Sequence, residues 1–360
     1  MSYRAGAQKL SATHLVRQVV ARAGSPDVHQ RVGGRAGSGH GGIGLSESAA
    51  PLIAITGATG FIGSNLCSRL RASGFRVRAL VRAPGQAQSL ARAGIDILPG
   101  DLAAPPALRQ LLAGSAAVIH CAGTVRGRTP ADFAPANVLG SQHLVQAIKD
   151  SDTPPRLLAL SSLAAREPQL SHYAASKFAG EQVVSASGDA VRWTILRPPA
   201  VYGPGDRELL PLFRLMARGI APLPGGLTDR VSMLYIDDLA SAVMCWLATD
   251  SPPRRIFTLS DPTDAGYSWA DIVRIASVVC GRQVRPLRVP SVVLDGIAGV
   301  NWAAAALLRY APMLTPGKVR ELRHADWTCD WRELGAALDW QPRVDLATGM
   351  RNTLHDDAGR

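Results

Sequence analysis

Tyr173 and Lys177 stand four residues apart in Tyr-Ala-Ala-Ser-Lys, the spacing that places one side chain above the other on a helix. A free phenol has a pKa of about 10 and exchanges protons poorly near neutrality. A neighbouring ammonium favours the phenolate and lowers that value toward the range where proton transfer to or from an alcohol or ketone is useful. Far upstream lies a glycine turn, Thr56-Gly57-Ala58-Thr59-Gly60-Phe61-Ile62-Gly63, which supplies the other half, a seat for a dinucleotide. Together the two signals point to hydride chemistry.

The elements around these residues must position them. Leu52-Ile53-Ala54-Ile55 is an apolar run of the kind that forms a strand buried on both faces of a parallel sheet. After the turn, Ile62, Leu66, Cys67 and Leu70 recur at helical spacing until Ser73-Gly74 stops the helix. Gly57 then permits the tight turn, Gly60 lets the backbone approach a pyrophosphate, and Gly63 allows the helix to pack on its strand. N–H groups at the helix start meet the phosphates. A second strand, Phe75 to Arg82, ends on arginine where a preference for NAD usually places an acid on the ribose hydroxyl. Arg82 can pair with a 2′-phosphate, so the cofactor expected is NADP(H), with NAD the alternative. A third strand, Ile95 to Leu98, leads to Gly100-Asp101-Leu102, with Asp101 placed for an adenine amine. A fourth, Ala117-Val118-Ile119-His120, delivers Cys121-Ala122-Gly123 beside the cofactor. His120 and Cys121 are read as packing residues, because no base and orienting group surround the thiol.

These pieces, with Asn137-Val138-Leu139-Gly140, Leu160-Ser161-Ser162, Arg197-Pro198-Pro199-Ala200-Val201-Tyr202-Gly203-Pro204 and Tyr235-Ile236-Asp237-Asp238-Leu239-Ala240, resemble the extended short-chain dehydrogenase/reductase superfamily. That group includes NAD-dependent epimerases and dehydratases and 3β-hydroxysteroid dehydrogenases. The resemblance runs from about residue 51 to 345 and implies an α/β fold, a doubly wound parallel Rossmann sheet with a smaller C-terminal substrate-binding lobe. It implies Tyr173 as acid/base, Lys177 on the nicotinamide ribose, and Ser162 donating to the substrate oxygen, with Ser161 the runner-up. Such a donor matters because negative charge grows on that oxygen as hydride arrives. Asn137 is implied as a polar link to the site, or else a helix cap, and Pro198 packs near the nicotinamide. Relatives often dimerise through a four-helix contact that would include the Tyr173 helix.

Two departures narrow the activity. Dehydratases of the group carry an Asp-Glu pair after the active-site threonine, whereas Leu163-Ala164 follow Ser162 here. Nucleotide-sugar enzymes place an arginine at a set distance before the Tyr235 motif, and Arg230 is one residue out of that register. The reading is an oxidoreductase acting between NAD(P) and a carbonyl or alcohol, ahead of a nucleotide-sugar epimerase and of a non-catalytic dinucleotide-binding module.

Composition sets the outer bounds. The 360 residues carry a formal charge of +11 and 47% apolar residues. Residues 1–50 hold six basic against two acidic side chains, and the rest of the charge is dispersed, without the basic stripe and interleaved aromatics of a nucleic-acid binder. Five dispersed cysteines fit a reducing cytoplasm. The domain plan expected is a disordered basic extension over 1–50, with a short amphipathic helix at His14 to Ala21. A cofactor domain follows over 51–200, joined again by 229–262, with the lobe from 201–228 and 263–345 and a tail over 346–360. The most apolar stretch, Val289 to Leu314, reads as a core helix of the lobe, with a segment embedded in a membrane surface or the wall of an apolar, lipid-like ligand pocket as the alternatives. Asp295, Asn301 and Arg309 argue against a membrane span. Trp327, Trp331 and Trp340 read as lobe packing.

Overall fold

The computed structural model describes residues 50–308 and 310–359, so the basic extension, its short helix and Arg309 lie outside the described residues. The apolar runs become strands with every residue buried, β1 Leu52–Thr56, β4 Ala117–His120 and β5 Arg156–Leu160. They are joined by β2 Arg76–Val81, β3 Asp96–Pro99 and β6 Trp193–Arg197. Connecting helices are α1 Phe61–Ala72, the short α2 Gln88–Arg92, α3 Pro105–Leu112, α4 Pro130–Ala134, α5 Gly140–Lys149 and α6 His172–Ser185. Each crossover returns the chain in the same direction, so all pairs in the main sheet are parallel.

Alternate residues of one strand serve opposite faces. Ile53 and Ile55 of β1 pack with Leu66 and Leu70 of α1 in one core, while Ala54 joins Leu108, Leu111 and Leu144 in the other. The sheet is therefore covered on both sides, which is why its strands read as continuous apolar runs rather than as alternations.

Beyond β7 Ala200–Tyr202, the chain forms α7 Leu210–Ala217, β8 Ile220–Leu223, β9 Arg230–Val231, β10 Met233–Tyr235 and α8 Ile236–Ala248. It then returns with β11 Ile256–Thr258, which pairs in parallel with β6. The order of the seven-stranded sheet is β11-β6-β5-β4-β1-β2-β3. It reverses direction between β1 and β4, the switch point at which such sheets bind ligands. The remainder comprises β12 Tyr267–Ser268, α9 Trp269–Val279, β13 Arg285–Arg288, α10 Ser291–Leu308, α11 Pro316–Leu322, β14 Asp326–Trp327, α12 Arg332–Leu338 and α13 Leu346–Ala358. Small sheets β8 with β13, and β9 with β12 and β14, tie this part together. Trp331 and Trp340 meet edge to face at 6.2 Å, and the Trp340 indole donates to Ser241 Oγ at 2.8 Å, which is packing as expected.

Of the alternatives for the apolar stretch, the helix α10 is not a core helix, although its Trp302 does line a cavity. Only Ala298 and Ala305 are buried, whereas Val292, Val300 and Leu307 are 79%, 72% and 83% exposed. A stripe of Leu294, Ala298, Asn301 and Ala305 turns toward the protein, and among the described residues no element covers the opposite side. By length and composition, with a mean hydropathy of 1.6, this helix could cross a membrane.

Candidate active site

The glycine turn lies where β1 meets α1, at the reversal of strand order. Gly57 has φ +73°, and a Cβ there would come within 2.5 Å of the Ala122 backbone N. A Cβ on Gly63 would lie 2.1 Å from the Gly57 carbonyl oxygen, so this glycine is required for α1 to sit against the turn. Gly60 is different. It has an ordinary φ of −77° at the N-cap, and a Cβ would meet only Gly57 O at 3.4 Å. Nothing inside the protein demands glycine at this exposed point beside a helix start, which fits a backbone surface kept bare for a phosphate. Thr59 is exposed, and Phe61 and Ile62 are half-buried. The residues present thus fit a dinucleotide.

Other predicted cofactor residues distribute around the crevice. Arg82 is exposed at the carboxyl end of β2. Asp101 is exposed and accepts the Ala103 N–H at 2.8 Å through one carboxylate oxygen. Leu102 is half-buried under α5, close to where a Cβ on Gly140 would fall. Gly123 leaves its side-chain space to Asn137 Oδ1 and Lys177 Nζ, 3.1 and 3.7 Å from an added Cβ. Thr56 turns inward instead: its buried hydroxyl bonds His120 Nδ1 at 2.7 Å and accepts the Ala122 N–H at 3.3 Å. It therefore sets the positions of β1 and β4 rather than facing the crevice. Pro198 is buried, and its carbonyl accepts the Leu163 N–H at 2.8 Å, holding the loop that carries Ser162.

Ser162 and Tyr173 come together as the motifs suggest, with Lys177 one turn further along the Tyr173 helix. Ser171 caps α6 by accepting the Ala174 N–H at 2.9 Å, and this starts the helix so that Tyr173 and Lys177 fall on one face. Ser162, extended at the end of β5, accepts the Ala164 N–H at 3.2 Å and reaches Tyr173. The expected lowering of the phenol by Lys177 does not occur. Burial pushes Tyr173 up to about 12, the Ser162 hydroxyl draws it back, and the Glu321 carboxylate adds to the rise. Lys177 instead donates to the Leu160 carbonyl at 2.8 Å. Burial brings its amine down to about 8, opposed by the charge of Glu181 and by Cys121. The phenol is therefore protonated at neutral pH while the amine is mostly cationic.

Asn137 is no helix cap. It lies in a π-helical turn, Pro135–Leu139, ahead of α5. Its side chain accepts the Thr124 N–H at 2.7 Å and donates to Thr124 O and Ser176 Oγ at 3.0 and 2.8 Å. A Cβ on Gly180 would be 2.3 Å from Asn137 O, so α6 presses directly on this turn. The two candidate serines separate in space. Ser161 Oγ is buried without a hydrogen-bond partner among the described residues and lines a cavity of about 20 Å³ with Lys177, Asn137 and Glu181. That space suits one water. Beneath it Glu181 takes a two-pronged ion pair from Arg197, at 2.8 and 2.5 Å.

His120 and Cys121 behave as packing residues. Burial, aided by the Lys177 charge, brings His120 down to about 3, and its Nε2 bonds Ser141 Oγ at 3.1 Å. Burial raises the Cys121 thiol. Neither group is poised for chemistry.

Beside Tyr173 opens a cavity of about 220 Å³ whose walls the motif reading did not identify. Phe133 stands 6.2 Å from the Tyr173 ring, and Lys318 Nζ lies 5.8 Å over it. Trp302 of α10 and Met313 form an apolar wall, with Arg128 5.0 Å from the Trp302 ring. Glu321 accepts Lys318 Nζ at 2.8 Å and the Ser171 hydroxyl, which fastens α11 to the start of α6. The Thr315-Pro316 helix start was the available signal, but nothing local ties it to Tyr173, some 140 residues earlier. Arg230 is occupied: its guanidinium donates to the carbonyls of Ala265 and Gly266 at 2.8 and 2.9 Å.

Comparison with known proteins gives the family and the fold. Residues 53–259 match the family model described as NAD dependent epimerase/dehydratase family. A ceramide reductase of Caulobacter vibrioides is 38% identical over 284 residues, 79% of this chain and 88% of that protein. A 2-alkyl-3-oxoalkanoate reductase of Shewanella oneidensis is 32% identical over 304 residues, 74% of this chain and 76% of that one. The fold matches the UDP-glucuronic acid 4-epimerase of Bacillus cereus, solved in complex with NAD, with a TM-score of 0.65 at 20% identity over 86% of this chain and 99% of that one.

Proposed function

Because the chain belongs to the NAD dependent epimerase/dehydratase family, we propose that it is an NADP(H)-linked reductase of a ketone on a long-chain, largely apolar substrate. The observation that carries this reading is the cavity beside Tyr173, where Trp302, Met313, Phe133 and Val125 offer an apolar wall for a chain and Arg128, Lys318 and Arg320 offer charge to a polar head. Relatives named as reductases of a ceramide and of 2-alkyl-3-oxoalkanoates support the same substrate class. The occupied guanidinium of Arg230 speaks against a nucleotide-sugar pyrophosphate at that position. Arg82, exposed and without an ion pair among the described residues, supports a 2′-phosphate. The five free cysteines support a reducing cytoplasm. In this reading residues 201–228 and 263–345 form the substrate lobe.

Bound nicotinamide supplies the hydride. The Ser162 hydroxyl donates to the substrate carbonyl oxygen, and Tyr173, protonated at neutral pH, gives its proton to that oxygen as negative charge builds. Lys177, held at the Leu160 carbonyl, would bind the nicotinamide ribose. Asn137 fixes the turn that carries Thr124 against α6, and Pro198 holds the Ser162 loop.

The test is NADPH absorbance with a 3-oxo-sphingoid base, an oxidised ceramide and a 2-alkyl-3-oxoalkanoate, alongside UDP-glucose. Oxidation of NADPH on a long-chain ketone is expected. Interconversion of UDP-sugars with no net cofactor consumption would establish the epimerase reading instead, and tighter binding of NADH than of NADPH would remove the role of Arg82.

A further inference from the structure

We infer that the outward face of α10 is a docking surface for an anionic phospholipid bilayer, holding the Tyr173 cavity at the membrane. Val292, Gly296, Val300, Ala303 and Leu307 follow one another along that face at intervals of four and three, with no polar residue among them. A helix bordering water carries charge outward, and an exposed apolar face of this extent marks an interaction site.

The polar groups of α10 show how it lies. Asn301 Nδ2 donates to the Leu314 carbonyl at 2.7 Å, Tyr310 bonds Asn301, and Asp295 is 3.8 Å from the Arg323 guanidinium. These ties hold the inner stripe to α11 and the segment before it. A spanning orientation would break them, whereas a helix lying in the plane of the interface keeps them intact.

Charge identifies the occupant. Arg288 is exposed three residues before α10 begins, Arg323 flanks Asp295, Arg128 stacks on Trp302, and Arg320 lines the same cavity. Basic side chains bordering an apolar face match lipid phosphates around acyl chains. Trp302 and Tyr310, 41% and 43% exposed, are the residue types that settle at the headgroup level. Because Trp302 also walls the cavity beside Tyr173, an amphiphile leaving the bilayer meets the site without crossing water. The inference stands on α10 itself and would survive an error in the substrate proposed above.

The experiment uses the full chain with sedimenting vesicles of phosphatidylglycerol and phosphatidylethanolamine, and with phosphatidylcholine alone. Wild type should sediment with the anionic vesicles, and the double variant Val300→Glu, Leu307→Glu should bind at least about tenfold more weakly. Its NADPH affinity and melting temperature should be unchanged, which shows that it folds. An environment-sensitive dye on the variant Val300→Cys should shift to the blue only when vesicles are added. Wild type remaining in the supernatant would overturn the inference, as would equal sedimentation of the double variant. A blue-shifted dye without vesicles, together with a dimer that Leu307→Glu dissociates, would assign the face to a second copy of the chain and overturn it too.

Discussion

Gly60 and Gly63 are three residues apart in one turn, yet a single methyl should act on them in opposite ways. At Gly60 the added Cβ meets only Gly57 O at 3.4 Å, an ordinary contact, and φ is −77°. Loss of a preferred N-cap and the reduced freedom of the unfolded chain are each worth a few tenths to about 1 kcal/mol with opposite signs, so stability should barely change. If a pyrophosphate lies against that backbone, the methyl overpacks the contact by about 1–3 kcal/mol, a loss of roughly 5- to 150-fold in dinucleotide affinity. At Gly63 the Cβ would sit 2.1 Å from Gly57 O and 2.8 Å from Gly57 C. Backbone must move there, and a cost of about 3 kcal/mol lowers Tm by roughly 4–5 °C in a chain of this length. Titration calorimetry with NADPH and scanning fluorimetry separate the two effects. Gly60→Ala with affinity within twofold of wild type would show that no phosphate approaches at Gly60, and the cofactor placement would fail.

Tyr173→Phe should lower ketone reduction by about 10²- to 10⁴-fold with NADPH affinity almost unchanged; surviving turnover would remove Tyr173 as the proton donor. Since burial holds the phenol at about 12, reduction should persist at mildly alkaline pH, and oxidation of the product alcohol should rise with pH; an oxidation rate that plateaus near neutrality would contradict this. The Lys177 amine lies at about 8, below its ordinary 10.5. Between those values the unfolded chain binds more protons than the folded one, so this group's penalty on stability is full below pH 8 and fades as pH rises toward 10.5. Lys177→Met should remove that rise from urea melts taken across this window, and an unchanged slope would refute the depressed value.

Short-range geometry made much of this molecule readable in one dimension. The turn between β1 and α1, the apolar strands and the four-residue spacing of Tyr173 and Lys177 all depend on neighbours within a few residues, where chain stereochemistry leaves few options. Sequence order alone therefore located the glycine turn at the strand reversal and put Tyr173 and Lys177 on one helix. Other features depend on contacts between distant segments, which local spacing does not encode. Only packing separated Ser162, beside Tyr173, from Ser161, which points into the small polar cavity, and only packing turned Thr56 inward to His120. The expected depression of the phenol failed because i,i+4 spacing says that Lys177 is near Tyr173 but not that Leu160 O takes its ammonium or that burial outweighs charge. Arg230 likewise found backbone acceptors in a turn 35 residues later. The helix α10 is the sharpest case, because an apolar composition is shared by core helices, cavity walls and membrane-facing surfaces. What distinguishes them is whether another element covers the outward face, a property of tertiary packing, and among the described residues none does.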